Sequence, residues 1–148
     1  VLARWWDALA SGGHLAVQVP TNAAHPSHVV AAEVAASEPF ASAISGEVPP
    51  DRVAVNVLRP EAYAEVLHDL GAAEQHVRLQ VYGHVLDRSA DVVEWVKGTA
   101  LTRIFAVLPA ELHDEFVATY RDRLLAVIGD VAPYFYAFPR ILCWARRG

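Results

Sequence analysis

At 148 residues, 54% apolar and 20% charged, the chain has the length and composition of a globular domain, which excludes a largely disordered polymer. Its net charge is −5 and its basic residues are scattered apart from Arg146-Arg147, so no cationic stripe for nucleic acid is present. Apolar runs fall short of the ~20 residues of a membrane span, and the lone Cys143 excludes an internal disulfide framework and fits a reducing, cytoplasmic setting.

Leu2, Trp5, Trp6 and Leu9 share one helical face, and Ser11-Gly12-Gly13 ends that helix. His14–Val19 runs Leu-Ala-Val without interruption, which predicts a strand covered on both faces. Pro20–Ser27 is a polar loop whose last residue is expected to cap a helix over His28–Ala36. Ser37–Asp51, with Pro39, Gly46, Pro49 and Pro50, reads as an irregular surface excursion. A helix starts at Pro60 and ends before Gly71, with Tyr63, Val66, Leu67 and Leu70 on one face.

Val77, Leu79, Val81 and Val85 alternate with Arg78, Gln80, Tyr82 and His84, predicting a strand with one buried face and one wet face. Ser89 is expected to cap a helix reaching about Thr102, and a second helix runs from Pro109 to about Ile128 on a Leu112, Phe116, Tyr120, Leu124 ridge. Tyr134–Ala145 closes the chain; because Pro139 cannot donate to a ladder, the paired strand is expected to be Arg140–Ala145 or to carry a bulge at Pro139. The expected organisation is an α/β core over 1–88 and 132–148, with a helical lid over 89–131 inserted between the last two strands.

The segments H-L-A-V-Q-V-P-T-N and P-S-H, then V-V-E-W-V-K-G-T-A-L-T-R, then F-P-R-I-L-C-W-A-R-R together resemble the trans-aconitate methyltransferase family, over its C-terminal portion only. That family is S-adenosylmethionine-dependent and of the Rossmann-like class I type. The resemblance implies that His14–Val19, Val77–Leu86 and Arg140–Ala145 are the fifth, sixth and seventh strands of its sheet. The seventh lies between the other two. It also implies that the cofactor's glycine-rich loop lies upstream of Val1, and no G-x-G-x-x-G occurs in the chain. The fragment alone is then expected to be inactive, and the edge of strand 14–19 to be open to self-association.

The reaction so implied esterifies a carboxylate of a small polycarboxylic acid such as trans-aconitate. A carboxylate with a pKa near ~4 is already ionised at neutral pH, so no catalytic base is expected. Binding calls for forked cationic donors. Trp95, Thr99 and Arg103 fall at i, i+4 and i+8 of the lid helix and form one candidate substrate stripe. Tyr82 and His84 on the wet strand face, and Arg140 after Phe138-Pro139, are further candidates. Gln18, Asn22 and His28 lie at or beyond a strand's C-terminal end, where open α/β sheets place ligands, and are candidates for substrate or cofactor.

Each of these has a plainer reading as packing or solvated surface. His25-x-x-His28 with Glu33 lacks firm metal-ligand spacing and reads as loop and cap, so no metal is expected. Cys143 reads as a small core residue, and Arg146-Arg147 as a solvated terminus. Two alternatives stand beside the leading one: a methyltransferase for another small carboxylate or hydroxyl, and a non-catalytic α/β binding or oligomerisation module.

Overall fold

The computed structural model describes residues Val1–Gly148. In chain order its elements are α1 (Leu2–Asp7), β1 (His14–Pro20), α2 (Pro26–Ala35), α3 (Phe40–Ala43), α4 (Arg52–Asn56), α5 (Pro60–Asp69) and β2 (Ala72–Leu86). After these come α6 (Asp91–Lys97), α7 (Thr102–Phe105), a 3-10 turn (Ala110–Leu112), α8 (His113–Ile128) and β3 (Tyr134–Arg147). The chain divides into two compact units, the first from Val1–Thr21, Asn56–Tyr82 and Phe138–Gly148, the second from Asn22–Val55 and Gly83–Ala137.

In the first unit β3 is the central strand of the order β1-β3-β2, and it pairs antiparallel with β1 from His14 opposite Arg146 to Pro20 opposite Arg140. The last strand therefore lies between the other two, as expected. Trp6, Leu15, Tyr63, Leu67, Ile141, Cys143 and Ala145 form the buried cluster, so α1 and α5 cover one face of the sheet. Pro60 sits in the first turn of α5, where its missing N–H costs nothing. Gly71 follows that helix at φ +80°, a left-handed conformation that an L side chain resists.

Several expectations for this unit are corrected. β1 is buried on one face only: Leu15 is buried, whereas Ala16 and Gln18 are exposed. In the part of β3 that pairs with β1 the buried residues are likewise the alternate Ile141, Cys143 and Ala145. No helix of the unit packs over the opposite face, and Ala16, Gln18, His76, Arg78, Leu142 and Trp144 line an open groove there. On β2 only Val77 of the predicted apolar face packs against the core; Leu79, Val81 and Val85 are exposed at this edge of the sheet. Trp5 is also exposed, and Trp6 carries the burial of α1. Arg147 is no solvated terminus. Its Nη1 donates to the carbonyls of Trp6, Asp7 and Leu9 at 3.0, 3.2 and 2.7 Å, satisfying orphan acceptors at the end of α1. Arg146 lies 3.6 Å from a Glu74 carboxylate oxygen.

In the second unit α2 packs against α8, α3 and α6. The α8 ridge is as expected from Phe116 on: Phe116, Tyr120 and Leu124 are fully buried, whereas Leu112 is half-buried in the 3-10 turn before the helix. Phe40 meets Phe116 edge-on at 5.1 Å, an arrangement favoured by the ring quadrupoles. The buried Tyr120 hydroxyl donates to Ser27 O at 3.0 Å, and burial pushes its acidity well away from the usual range, keeping it a donor.

Four local expectations fail here for identifiable reasons. The cap of α2 is His25, whose Nδ1 accepts the Ser27 N–H at 3.1 Å, so Ser27 lies inside the helix. The Ser37–Asp51 excursion contains α3, with Phe40 buried. The helix expected to reach Thr102 stops at Lys97, with Gly98 as its C-cap, and resumes as α7. Ser89 does not cap it. Its Oγ donates to Gly129 O at 2.7 Å and accepts from Val131 N at 3.0 Å, while its N–H donates to Val131 O at 2.9 Å. These three bonds fasten the beginning and end of segment 89–131 together.

Candidate functional site

The second unit gathers its polar chemistry around the N-terminus of α2. Asn22, Ser27 and His28 are buried polar residues, and buried polar groups need partners. His28 Nδ1 lies 2.6 Å from Asp51 Oδ2, and His28 Nε2 lies 3.1 Å from Asn22 Nδ2. An ionised carboxylate only accepts, so Nδ1 carries the proton of the neutral ring and Nε2 accepts from the Asn22 amide. His25 has the opposite arrangement. Its Nδ1 accepts at the helix cap, so the neutral ring carries its proton on Nε2.

Asp51 is fixed from its own side as well. Its Oδ1 accepts the Val53 N–H at 2.8 Å, an N-cap bond at the start of α4. Burial works to raise the Asp51 carboxyl, but hydrogen bonds from His28 and Val53 and the charges of His28 and Arg103 outweigh it. The carboxyl is held below its usual 3.8. Arg103 Nη1 donates to Pro49 O, while its Nε is buried with no protein partner. His28, Glu33, Asp51 and Arg103 line an open groove of ≈ 440 Å³ whose apolar wall includes Val29, Pro49 and Pro50. That volume suits a small ligand.

A row of rings occupies the same unit. His84 lies 4.7 Å from Trp95, Trp95 lies 5.7 Å from Tyr136, and Tyr136 lies 4.7 Å from His25 in an edge-on contact. Tyr136 is fully buried, whereas Trp95 is 39% exposed, so the row runs from the core to an accessible aromatic surface.

No protein-family model matches the chain. It is 38% identical to the trans-aconitate 2-methyltransferase of Deinococcus radiodurans, over 99% of this chain and 57% of that protein. It is 39% identical to the enzyme of that name from Rhodopseudomonas palustris (strain HaA2) and 33% identical to that from Agrobacterium fabrum, each over 95% of the chain and 54% of the relative. The chain is thus similar, over nearly its whole length, to part of the trans-aconitate methyltransferases. It spans about half the length of the curated relatives it matches.

The segments that carry the family resemblance hold most of the candidate residues, and the fold distributes them unevenly. Asn22, His28, His84, Trp95, Thr99 and Arg103 fall in the second unit. Asn22 and His28 bond directly, and His84 and Trp95 are ring neighbours. Trp95, Thr99 and Arg103 do not form one helical stripe, because Gly98 separates α6 from α7; Thr99 Oγ1 turns back to Val96 O at 3.3 Å. Gln18, Tyr82 and Arg140 belong to the first unit. Gln18 lies on the open sheet face, Tyr82 is exposed, and the Arg140 guanidinium sits 4.9 Å over the Phe138 ring. No group of three metal-ligating side chains forms, and Cys143 is a buried core thiol whose acidity burial weakens.

Asp51 and Tyr136 escaped the sequence reading, whereas the loop-and-cap reading of His25 is borne out. The signal for Asp51 is local: an Asp after Pro49-Pro50 and before a helix is an N-cap pattern. Its pairing with His28, 23 residues away, is tertiary.

A pH dependence follows from the two groups whose acidity the fold shifts. Burial, then the charge of nearby His28, lowers His25 below its usual 6.5. The unfolded chain therefore takes up this proton first as pH falls. The stabilisation is complete above 6.5 and is lost as pH drops through the lower folded value. The urea midpoint should fall between about pH 7 and about pH 5.5, and His25→Asn, which keeps a capping acceptor, should flatten that fall. An equally steep fall in the variant would place its cause elsewhere. The Asp51 contribution is present above 3.8 and is lost only at lower pH.

Proposed function

We propose that this chain supplies the acceptor-substrate part of an S-adenosylmethionine-dependent methyltransferase that esterifies a carboxylate of a small polycarboxylic acid such as trans-aconitate. The observation that carries the reading is the meeting of amide, imidazole, carboxylate and guanidinium around the start of α2, in a chain similar to part of the trans-aconitate methyltransferases. The groove beside them is of small-molecule size, and the Trp95 surface offers a flat apolar contact for a planar unsaturated acid.

The residues present do not fit the cofactor itself. Of the eight glycines, none stands in a G-x-G-x-x-G strand-to-helix turn, and the Gly12-Gly13 pair leads from a helix into a strand. The reading therefore assigns cofactor binding to other residues of the complete polypeptide, and no step is derived through it. On the acceptor side the demand is modest. A carboxylate oxygen is already a nucleophile at neutral pH, so the protein's task is to orient it and exclude water. A hydroxyl acceptor would need a base, and His28 Nε2, the natural one here, is occupied by the Asn22 amide. That favours a carboxylate.

Titrating the complete polypeptide with S-adenosylhomocysteine in a calorimeter tests the reading against a non-catalytic module. Saturable one-site binding by the complete polypeptide, with none by residues 1–148 alone, is the expected result. Absence of binding by the complete polypeptide would overturn the enzyme reading.

A further inference from the structure

We propose that Arg103 anchors one carboxylate of the acceptor acid and that the oxygen to be methylated belongs to another, so that the acceptors are acids with more than one carboxylate. The proposal rests on the methyl-transfer reading above and adds to it the substrate class and the role of one side chain.

Arg103 stands on α7 and lines the open groove of ≈ 440 Å³. A guanidinium has five N–H donors and no acceptor. Here Nη1 donates to the neutral carbonyl of Pro49, and none of the ion pairs of the structure includes Arg103. Nε is buried and has no protein acceptor. The edge formed by Nε and Nη2 is therefore an unfilled fork, and its two parallel donors match the two oxygens of a carboxylate. A buried N–H left without an acceptor is costly until one arrives. Burial also presses the guanidinium below its ordinary range, and the Asp51 charge works against this from a distance, so a negative charge brought to the fork is favoured.

The remaining groups of the groove explain why one carboxylate is held and a second is not. Arg103 is the only arginine or lysine that lines it. Both ring nitrogens of His28 are engaged, by Asp51 and by Asn22. The Asp51 oxygens are held by His28 and by the Val53 N–H, and Glu33 stands exposed at the rim. These two acids repel a further anionic group, which finds no counter-ion here. Val29, Val48, Pro49 and Pro50 offer an apolar wall for the carbon skeleton between the two.

This difference decides which carboxylate reacts. An oxygen whose lone pairs are taken by a guanidinium, and whose charge is offset by it, is the weaker nucleophile. The unpaired carboxylate has neither constraint. One lone pair of its oxygen forms the new bond to the methyl carbon, the pair of the broken carbon–sulfur bond stays on the donor's sulfur, and no proton moves. A monocarboxylate held at Arg103 has no free carboxylate to react, and is an inhibitor.

Two measurements on the complete polypeptide test the anchor and the substrate class. In a calorimeter, trans-aconitate should bind at least about tenfold more weakly to Arg103→Ala, the scale of one lost charged hydrogen bond. Arg103→Lys, which keeps the charge without the fork, should lie between the two. Added salt should weaken binding to the unaltered polypeptide and act less on the alanine variant, a difference that a merely structural role of Arg103 would not produce. In the methyl-transfer assay, crotonate, a monocarboxylate with a double bond beside its carboxylate, should inhibit competitively without being esterified. Arg103→Ala should raise its inhibition constant and the KM for trans-aconitate by similar factors. Equal binding of trans-aconitate by Arg103→Ala and the unaltered polypeptide, or an equal salt dependence, overturns the anchor. Esterification of crotonate at a kcat/KM within about threefold of that for trans-aconitate overturns the requirement for a second carboxylate. If the unaltered polypeptide transfers no methyl group to any acid, the reaction reading falls, and calorimetry still decides whether Arg103 holds a carboxylate.

Discussion

Phe116→Ala is expected to destabilise the protein by about 3–5 kcal/mol, the range for emptying a buried aromatic site. Phe116 is fully buried on α8, with Phe40 at 5.1 Å, Phe105 at 6.0 Å and Tyr120 at 6.4 Å between ring centroids. These partners come from α3, α7 and α8, so a void at this point has rigid rings on several sides and little means of collapse. Phe116→Leu should cost about 1–2 kcal/mol, because it keeps most of the volume. Since domains are stable by only about 5–15 kcal/mol, the alanine variant loses a large share of the total. The functional consequence passes through α2, which packs on α8 and carries His28. Urea denaturation followed by circular dichroism measures the loss, and a cost below about 1 kcal/mol would show that this ring cluster does not anchor the helices.

Ser89→Ala should have the next largest effect, about 2 kcal/mol. The Ser89 side chain is fully buried and makes two of the three bonds that join it to Gly129 and Val131. Alanine keeps the backbone bond to Val131 O but leaves the Gly129 carbonyl and the Val131 N–H without their partner. An unsatisfied buried group costs about 1–3 kcal/mol. Val131 is 47% exposed, so water relieves part of that cost. The change should also be local. Amide exchange across α6, which carries Trp95, should accelerate ahead of exchange in α5. Uniform acceleration of both helices would mean that Ser89 supports the whole chain and not segment 89–131 in particular.

Much of the fold is legible in the sequence where a single period dominates. The α8 ridge and the α5 face are strong 3.6-residue patterns: Phe116, Tyr120 and Leu124 of the first and Tyr63 and Leu67 of the second are buried, while Leu112, Val66 and Leu70 at their margins are half-buried. The placement of β3 between β1 and β2 followed from family resemblance, since nothing in the alternation of residues specifies strand order. Burial was legible only where a covering layer exists. Leu79, Val81 and Val85 have the right alternation for a buried face, but they lie on an edge strand and remain exposed. The α6–α7 break illustrates a different limit. Trp95, Thr99 and Arg103 line up only if Gly98 continues the helix, and glycine is, after proline, the residue least able to sustain one.

The site was half legible. Asn22 and His28 lie within short segments shared in pattern with the family, so they were visible before the fold was known. Their meeting with Asp51 depends on α2 and the start of α4 coming together across a proline-rich stretch, which no local rule encodes. A cap role for His25 was legible too, although Ser27, of the commoner capping type, was expected to start the helix.

The central claim is that this chain builds the acceptor side of a carboxyl methyltransferase. Its most direct test is to incubate the complete polypeptide with methyl-labelled S-adenosylmethionine and trans-aconitate and to identify the product by mass spectrometry. The expected product is a monomethyl ester carrying the label, formed at least about tenfold more slowly, at substrate below KM, by the Arg103→Ala polypeptide, which lacks the groove's guanidinium. Label transferred to no carboxylic acid, or an ester formed equally fast by the variant, would contradict it.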